Sequence, residues 1–376
     1  MKRFLLTILF SFCFISITPT TQVLAQEIST DRDTYYRARV EKILEQGEQK
    51  INNIATPFQR VEVVILDGSL RGRKVTIDHG SVFTIDKQRF VSKGQIVVIA
   101  FTTGQQNTRL FQIIDTYRLN TLMPFIGIFV LAVILLSGWR GVGSILGMII
   151  SLGVISFFIV PKILQGADPL MISITGCFLI MISTIYLAHG FSKQTTVALT
   201  STFLTLLFTG IISIIIVKVA RLSGLGSEDA YSLKIGAQGI INFKGLFLGG
   251  ILIGALGVLD DVTTGLTASI FELSQANPAL SFNKLVRAGL RVGREHIASL
   301  VNTLVLAYAG ASLPIFITLI INPNAYPLWS ILNSEMIIEE IVRTLSGSFG
   351  LVLAVPLTTV LASWYATKKS SLSRSR

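Results

Sequence analysis

From about residue 120 onward the sequence is a succession of long apolar runs. They cover 122–138, 142–160, 170–189, 195–217, 246–266, 297–321 and 345–365. Each has the length, about 17–25 residues, that carries a helix across roughly 30 Å of hydrocarbon. Composition agrees. Charged residues are 14% of the 376 and hydrophobic ones 51%, whereas soluble chains average about 25% charged. The net charge of +11 then belongs to membrane orientation and to contact with anionic lipid. No RNA- or DNA-binding motif is present, so nucleic acid is not an expected partner.

The first 120 residues have another rhythm. Lys2 and Arg3, the apolar run 4–17 and the small residues before Gln26 read as a secretory signal peptide over 1–25. Residues 26–120 are polar, with β-branched, partly alternating segments at 39–43, 60–66, 74–77, 95–101 and 109–114. Asp67-Gly68 and Lys93-Gly94 punctuate them as turns. The expectation is a small extracytoplasmic β-rich domain, a barrel or sandwich, with an OB-like barrel among the options. His79, a lone histidine near a turn, reads as a surface residue rather than a metal ligand. Cys13 and Cys177 both fall in apolar runs, so neither a disulfide for the β-rich domain nor a metal site can be built from them.

The expected fold is therefore an all-α polytopic bundle of about seven transmembrane helices over 121–366. The β-rich domain precedes it and a basic cytoplasmic tail, 367–376, follows. With 26–120 outside, seven spans put the C-terminus inside. The predicted inner segments carry more Lys and Arg than the short outer loops, as the positive-inside rule requires. The chain reads as a multi-pass protein of the plasma (inner) membrane.

Two places hold residues that point to chemistry. In the run 246–266, Gly250, Gly254, Gly257 and Asp261 recur at steps of four, three and four, one helical face. The glycines read as a strip for close helix packing. Asp261 ends the strip, and Asp260 points about 100° away. A carboxylate about 6–8 Å past the middle of a span is costly and is a functional hypothesis by default. Asp261 is the first candidate for an ion or substrate site, with Asp260 second. Asn302, at similar depth in the run 297–321, is a candidate partner for Asp261. The second place is an amphipathic stretch. Lys284, Arg287, Arg291 and Arg294 share one face, suited to anionic headgroups at the cytoplasmic surface or to the wall of a vestibule.

Residues 250–262 and 277–314, the latter containing Gly293-Arg294-Glu295-His296 and Asn302-Thr303, resemble the YibE/F-like membrane protein family. Asp261, Arg294, Asn302, Thr303 and Tyr308 match the family pattern. Asp260 stands at an apolar position of that pattern, and Glu295 stands at an aspartate. The resemblance implies a multispan membrane protein and carries no reaction with it.

Enzyme readings fail on residue grounds. Adjacent Asp260 and Asp261 diverge too far for a facing carboxylate dyad. His189 and His296 lack a nucleophile setting or a second zinc ligand, and no Walker-type loop occurs. No catalytic residue, metal or cofactor is expected. Two functions stay open. One is a permease or transport component with an intramembrane carboxylate. The other is a membrane-anchored scaffold whose secreted β-domain binds an extracytoplasmic protein partner or an oligomer mate.

Overall fold

The computed structural model describes residues 34–51, 54–80, 85–103, 109–236, 239–314, 317 and 327–374. The expected signal peptide, the end of the run 297–321 and the last two residues of the basic tail lie outside the described residues. The described residues form two compact units, one reaching to Ala132 and one starting at Val133.

The first unit carries five antiparallel strands. These are β1 (Thr34–Ile51), β2 (Ile54–Ile65), β3 (Lys74–His79), β4 (Ile96–Thr103) and β5 (Arg109–Thr116), ordered β3-β2-β1-β4-β5. Period-two alternation sends Ala38, Val40, Val61, Val63, Ile65, Ile77, Val97 and Ile99 to one face, where they form the core. Register shifts after Val40 and Ile43 in β1 and at Val98 in β4 mark bulges that curl the sheet. The result is a half-barrel. The expected closed barrel or two-sheet sandwich does not form among the described residues, because β3 and β5 remain unpaired with each other as edge strands.

A buried amide fastens the loop after β3. Gln59 Nε2 donates to Val91 O at 2.9 Å, and Val91 N donates back to Gln59 Oε1 at 2.9 Å. The side chain thus acts like one more strand residue. His79 is only 9% exposed, with Nε2 3.2 Å from the Arg89 carbonyl oxygen. The surface placement expected for it is corrected by that burial. Outside the core, Asp67 accepts from Arg37 Nε at 2.7 Å and from the Arg37 backbone N at 2.9 Å. The Arg37 guanidinium holds its carboxyl below the ordinary range. A cavity of about 490 Å³ is lined by His79, Gln88, Arg89, Gln95, Gln112 and Arg118, between the ends of β3 and β5.

The second unit is helical. Its first helix, α1 (Leu119–Leu164), begins within the residues of the first unit and contains a π turn at Ile155–Ile159, and α2 (Pro169–His189) and α3 (Lys193–Val219) follow. Then come α4 (Glu228–Gly236), α5 (Phe243–Ala276), α6 (Phe282–Ala311), α7 (Leu328–Leu332) and α8 (Glu335–Arg374). Caps explain several starts. Asp168 accepts from Met171 N at 3.0 Å, Ser192 from Thr195 N at 3.0 Å and Asn242 from Gly245 N at 3.1 Å.

Five helices are long and apolar enough to cross a membrane: α1, α2, α3, α5 and α8 up to Lys368. Seven separate spans were expected, and two features account for the difference. The runs 122–138 and 142–160 lie in one helical segment, broken where Gly138 adopts φ 57°, ψ −138°. The run 297–321 is continuous with the amphipathic stretch in α6, whose Lys- and Arg-rich first half lowers its hydropathy. Its last residues lie outside the described ones.

The helix α5 is the centre of this unit. Leu252, Leu256, Leu259, Val262, Leu266 and Ile270 are buried against Met181 and Ile185 of α2, Leu206 of α3, Leu304 of α6, and Leu351 and Val355 of α8. Before α4, the connection from α3 is held to the start of α8. Glu335 accepts from the backbone N of Ser223, and Glu339, only 4% exposed, accepts from that of Gly226 at 3.1 Å.

Candidate functional site

The two aspartates of α5 occupy opposite environments, and in the reverse sense to the one expected. Asp261 is exposed. Asp260 turns toward α2, where its Oδ2 lies 3.4 Å from Thr184 Oγ1, the hydroxyl donating. Its other oxygen, Oδ1, is buried without a hydrogen-bond partner. The 100° step between neighbours on a helix accounts for the split. Leu259 and Val262 fix the inward side of α5, Asp260 flanks that side, and Asp261 faces out.

The same rotation corrects the glycine strip. Gly257 has nothing within 4 Å of where a Cβ would sit. At Gly250 and Gly254 only side-chain tips come near, Arg343 Nη1 at 3.4 Å and Tyr308 Oη at 3.2 Å from that position. Close helix approach occurs one residue earlier. Gly249 is pressed against Ser173 of α2, and Gly245 lies against Pro169, whose Cδ is 3.3 Å from a built Cβ. Glycines at 249 and 250 sit side by side, so periodicity alone could not decide which of the two faces was packed.

Asn302 is exposed on α6 and forms no hydrogen bond with Asp261 or Asp260. The contact proposed for it from depth is not made. Neighbouring Thr303 back-bonds to Ser299 O at 3.0 Å. Lys284, Arg287, Arg291 and Arg294 are all exposed on one side of α6. Leu285, Gly289 and Gly293 are buried on the other. Gly289 and Gly293 admit Thr359, Ile270 and Val355 where any side chain would collide. The amphipathic helix is therefore seated by its glycines, which leaves its cations outward.

The most extensive polar feature was not singled out from sequence. On α3, Ser201, Thr205, Thr209 and Ser213 recur every fourth residue, and each is 0% exposed. Each donates to the carbonyl four residues earlier, at 2.7–2.9 Å. Thr202 Oγ1 meets Thr263 Oγ1 of α5 at 2.5 Å, and Thr263 Oγ1 lies 3.2 Å from Asp260 O. Other buried hydroxyls have no hydrogen-bond partner: Thr267 of α5 and Ser346, Ser348, Thr358, Thr359 and Ser363 of α8. One such group left dry costs roughly 1–3 kcal/mol. The sequence signal was available, since four hydroxyl residues at period four inside an apolar run mark a polar stripe.

Among the described residues, no group of three or more His, Cys, Asp or Glu side chains gathers as a metal site. No curated protein and no solved structure matches the chain. The family model for YibE/F-like protein matches residues 125–368, which include α2 to α8 up to Lys368 and most of α1. The chain, with α5 and four further apolar helices among its described residues, belongs to the YibE/F-like family.

Proposed function

We propose that this is a multi-pass plasma-membrane transport component whose intramembrane carboxylate is Asp260. The observation that carries the reading is Asp260 Oδ1, buried in an apolar helix without a hydrogen-bond partner. A carboxylate held there is costly, and such groups line ion and substrate pathways. Thr184, bonded to the other oxygen, orients it. In this reading α1, at 46 residues, makes two passes with Gly138 between them, and α6 makes a further pass after its cationic first half. Seven passes then set the β-sheet unit outside and the C-terminus inside. The exposed cations of α6 face anionic lipid on the cytoplasmic side.

The test is ion uptake by the full chain in proteoliposomes, following protons with an internal dye and Na⁺ with a radioactive tracer. Asp260→Asn is expected to reduce uptake by at least about tenfold, since it removes the charge the pathway is built around. Asp261→Asn is expected to leave most of it. Asp260→Asn vesicles that transport at the wild-type rate would sink the reading.

A second reading has its own observation. The cavity of about 490 Å³ between the ends of β3 and β5 is lined by amides and arginines, and edge strands offer unpaired backbone groups to an added strand. A secreted half-barrel of this kind suits an extracytoplasmic partner protein, with the helices as anchor. Stable capture of one partner by the full chain, with no ion uptake, would favour it.

A further inference from the structure

We propose that the ion taken up at Asp260 is a proton, and that the Thr184 hydroxyl holds the carboxyl in both of its protonation states. The proposal rests on the reading of Asp260 as the site carboxylate and names its ion. Thr184 Oγ1 lies 3.4 Å from each of two acceptors, Asp260 Oδ2 of α5 and the Met181 carbonyl oxygen of its own helix. A hydroxyl has one proton to give and lone pairs with which to accept. With Asp260 ionised, Thr184 donates to Oδ2. With Oδ2 protonated, the hydroxyl turns, donates to Met181 O and accepts from Asp260. The contact survives in both states, and only a hydroxyl rotates.

Two further observations single out the proton. The other carboxyl oxygen, Oδ1, is buried with no hydrogen-bond partner. An ionised oxygen left so costs more than the carbonyl oxygen of a neutral acid, and taking up a proton removes the excess. A metal cation stripped of water needs its shell replaced by several oxygens. Here one hydroxyl, that of Thr184, meets the carboxylate. The next two, Thr263 and Thr264, are turned to the Asp260 backbone oxygen at 3.2 and 2.8 Å. With one carboxylate and one hydroxyl brought together by the described side chains, a dry Na⁺ is under-coordinated.

Thr184 is a positioning residue, and its place is built. Gly147 of α1 closes on it: a Cβ at 147 would lie 3.3 Å from Thr184 Cα and 3.4 Å from its Cγ2. That contact occupies the methyl group and leaves the hydroxyl to Asp260. Charged groups nearby are few. Asp261 stands beside Asp260 on α5, and His189, at the end of α2, interacts with Asp261 and with Arg140 of α1. Among the described buried residues of α3, α6 and α8 the charged one is Glu339, which is engaged with Gly226 N. No Lys or Arg among the described residues pairs with Asp260 to hold it ionised.

The experiment is an infrared pH titration of the full chain in proteoliposomes, comparing wild type with Asp260→Asn, Thr184→Val and Thr184→Ser. A protonated carboxyl has a C=O stretch that a carboxylate lacks, so the part of that band missing from Asp260→Asn reports Asp260. The band is expected to grow as pH falls, with a single midpoint that stays in place when Na⁺ replaces choline. Thr184→Val removes a hydrogen bond to each form, and the bond to the charged form is the stronger. Its midpoint is therefore expected to move up by about one pH unit. Thr184→Ser keeps the hydroxyl and is expected to restore the wild-type midpoint. A midpoint that falls as Na⁺ is raised would overturn the proton, make Na⁺ the ion and leave Asp260 as the site. An unmoved midpoint in Thr184→Val, or no Asp260-dependent band at any pH at which the protein stays folded, would also overturn the proposal. The titration needs no transport, so vesicles that titrate as expected but pass no ion would sink the transport reading alone.

Discussion

Adding one carbon to two glycines of α5 separates its packed side from its open side. At Gly249 a new Cβ would press on the side chain of Ser173, whose own Cβ would be 3.0 Å away, with the Pro169 carbonyl oxygen at 3.4 Å. Ser173 is 2% exposed and has nowhere to turn. Overpacking of this kind costs about 1–3 kcal/mol. Alanine returns about 0.5–1 kcal/mol over glycine within a helix. The net loss for Gly249→Ala is then roughly 0.5–2 kcal/mol. At Gly257 nothing lies within 4 Å, so Gly257→Ala keeps only the gain of about 0.5–1 kcal/mol. With about 2–4 °C per kcal/mol for a unit of this size, Gly249→Ala should lower Tm by roughly 1–8 °C and Gly257→Ala should raise it by roughly 1–4 °C. Thermal unfolding of the full chain in mild detergent, followed by tryptophan fluorescence, reads both. If Gly257→Ala were the more damaging change, the assignment of packed and open faces on α5 would be wrong.

Other residues give independent checks. Gln59→Leu strands the N–H and C=O of Val91 and should cost about 2–4 kcal/mol; amide exchange at Val91 should accelerate, and unchanged protection there would contradict the strand-like role of Gln59. Burial holds the His79 imidazole below its ordinary value. It stays neutral in the fold while the unfolded chain takes up a proton near pH 6.5. The sheet unit should therefore keep its full stability above about pH 6.5 and lose some as pH falls below it. Unfolding midpoints of wild type and His79→Gln between about pH 7.5 and 5.5 should diverge toward the acid end, and parallel curves would refute the burial argument. Thr202→Val, Thr263→Val and the double variant form a cycle with an expected coupling of about 0.5–1.5 kcal/mol; strict additivity would mean that the 2.5 Å contact contributes nothing.

The sequence was legible where one periodicity had one solution. Strands at 60–66, 74–77, 95–101 and 109–114 fall on β2 to β5, and the runs 170–189 and 195–217 fall on α2 and α3. β1 ran much longer than the segment 39–43 because Glu45–Gln49 is polar on both faces. Its pairing comes from β2, through partners such as Glu45 with Arg60 and Gln46 with Gln59, which a one-dimensional pattern does not contain. Likewise, the spacing of Gly250, Gly254, Gly257 and Asp261 identified a true helical face but not whether a neighbour covers it. That was decided by Ser173 and Pro169, far away in the chain. Asp260 stands second to Asp261 in the sequence for the same reason, since Thr184, the group it faces, is supplied by another helix. The buried hydroxyls of α3 are not legible in the same way, because threonine in an apolar run reads as tolerated rather than directed.

The grip of α8 on the linker before α4 is written largely in peptide groups of the linker. Glu335 and Glu339, one helical turn apart, bind main-chain N–H donors that every residue except proline possesses. At Ser223 the hydroxyl adds to the peptide group in binding Glu335, so drift there removes one contact and leaves the main-chain one. Gly226 is stricter, since a Cβ would come within 2.9 Å of the Glu339 carboxylate. Gly224, at φ 84° with the Phe243 carbonyl in the way of any side chain, shares that sequence requirement, and a rigid shift of α8 would be transmitted to the linker through these peptide groups.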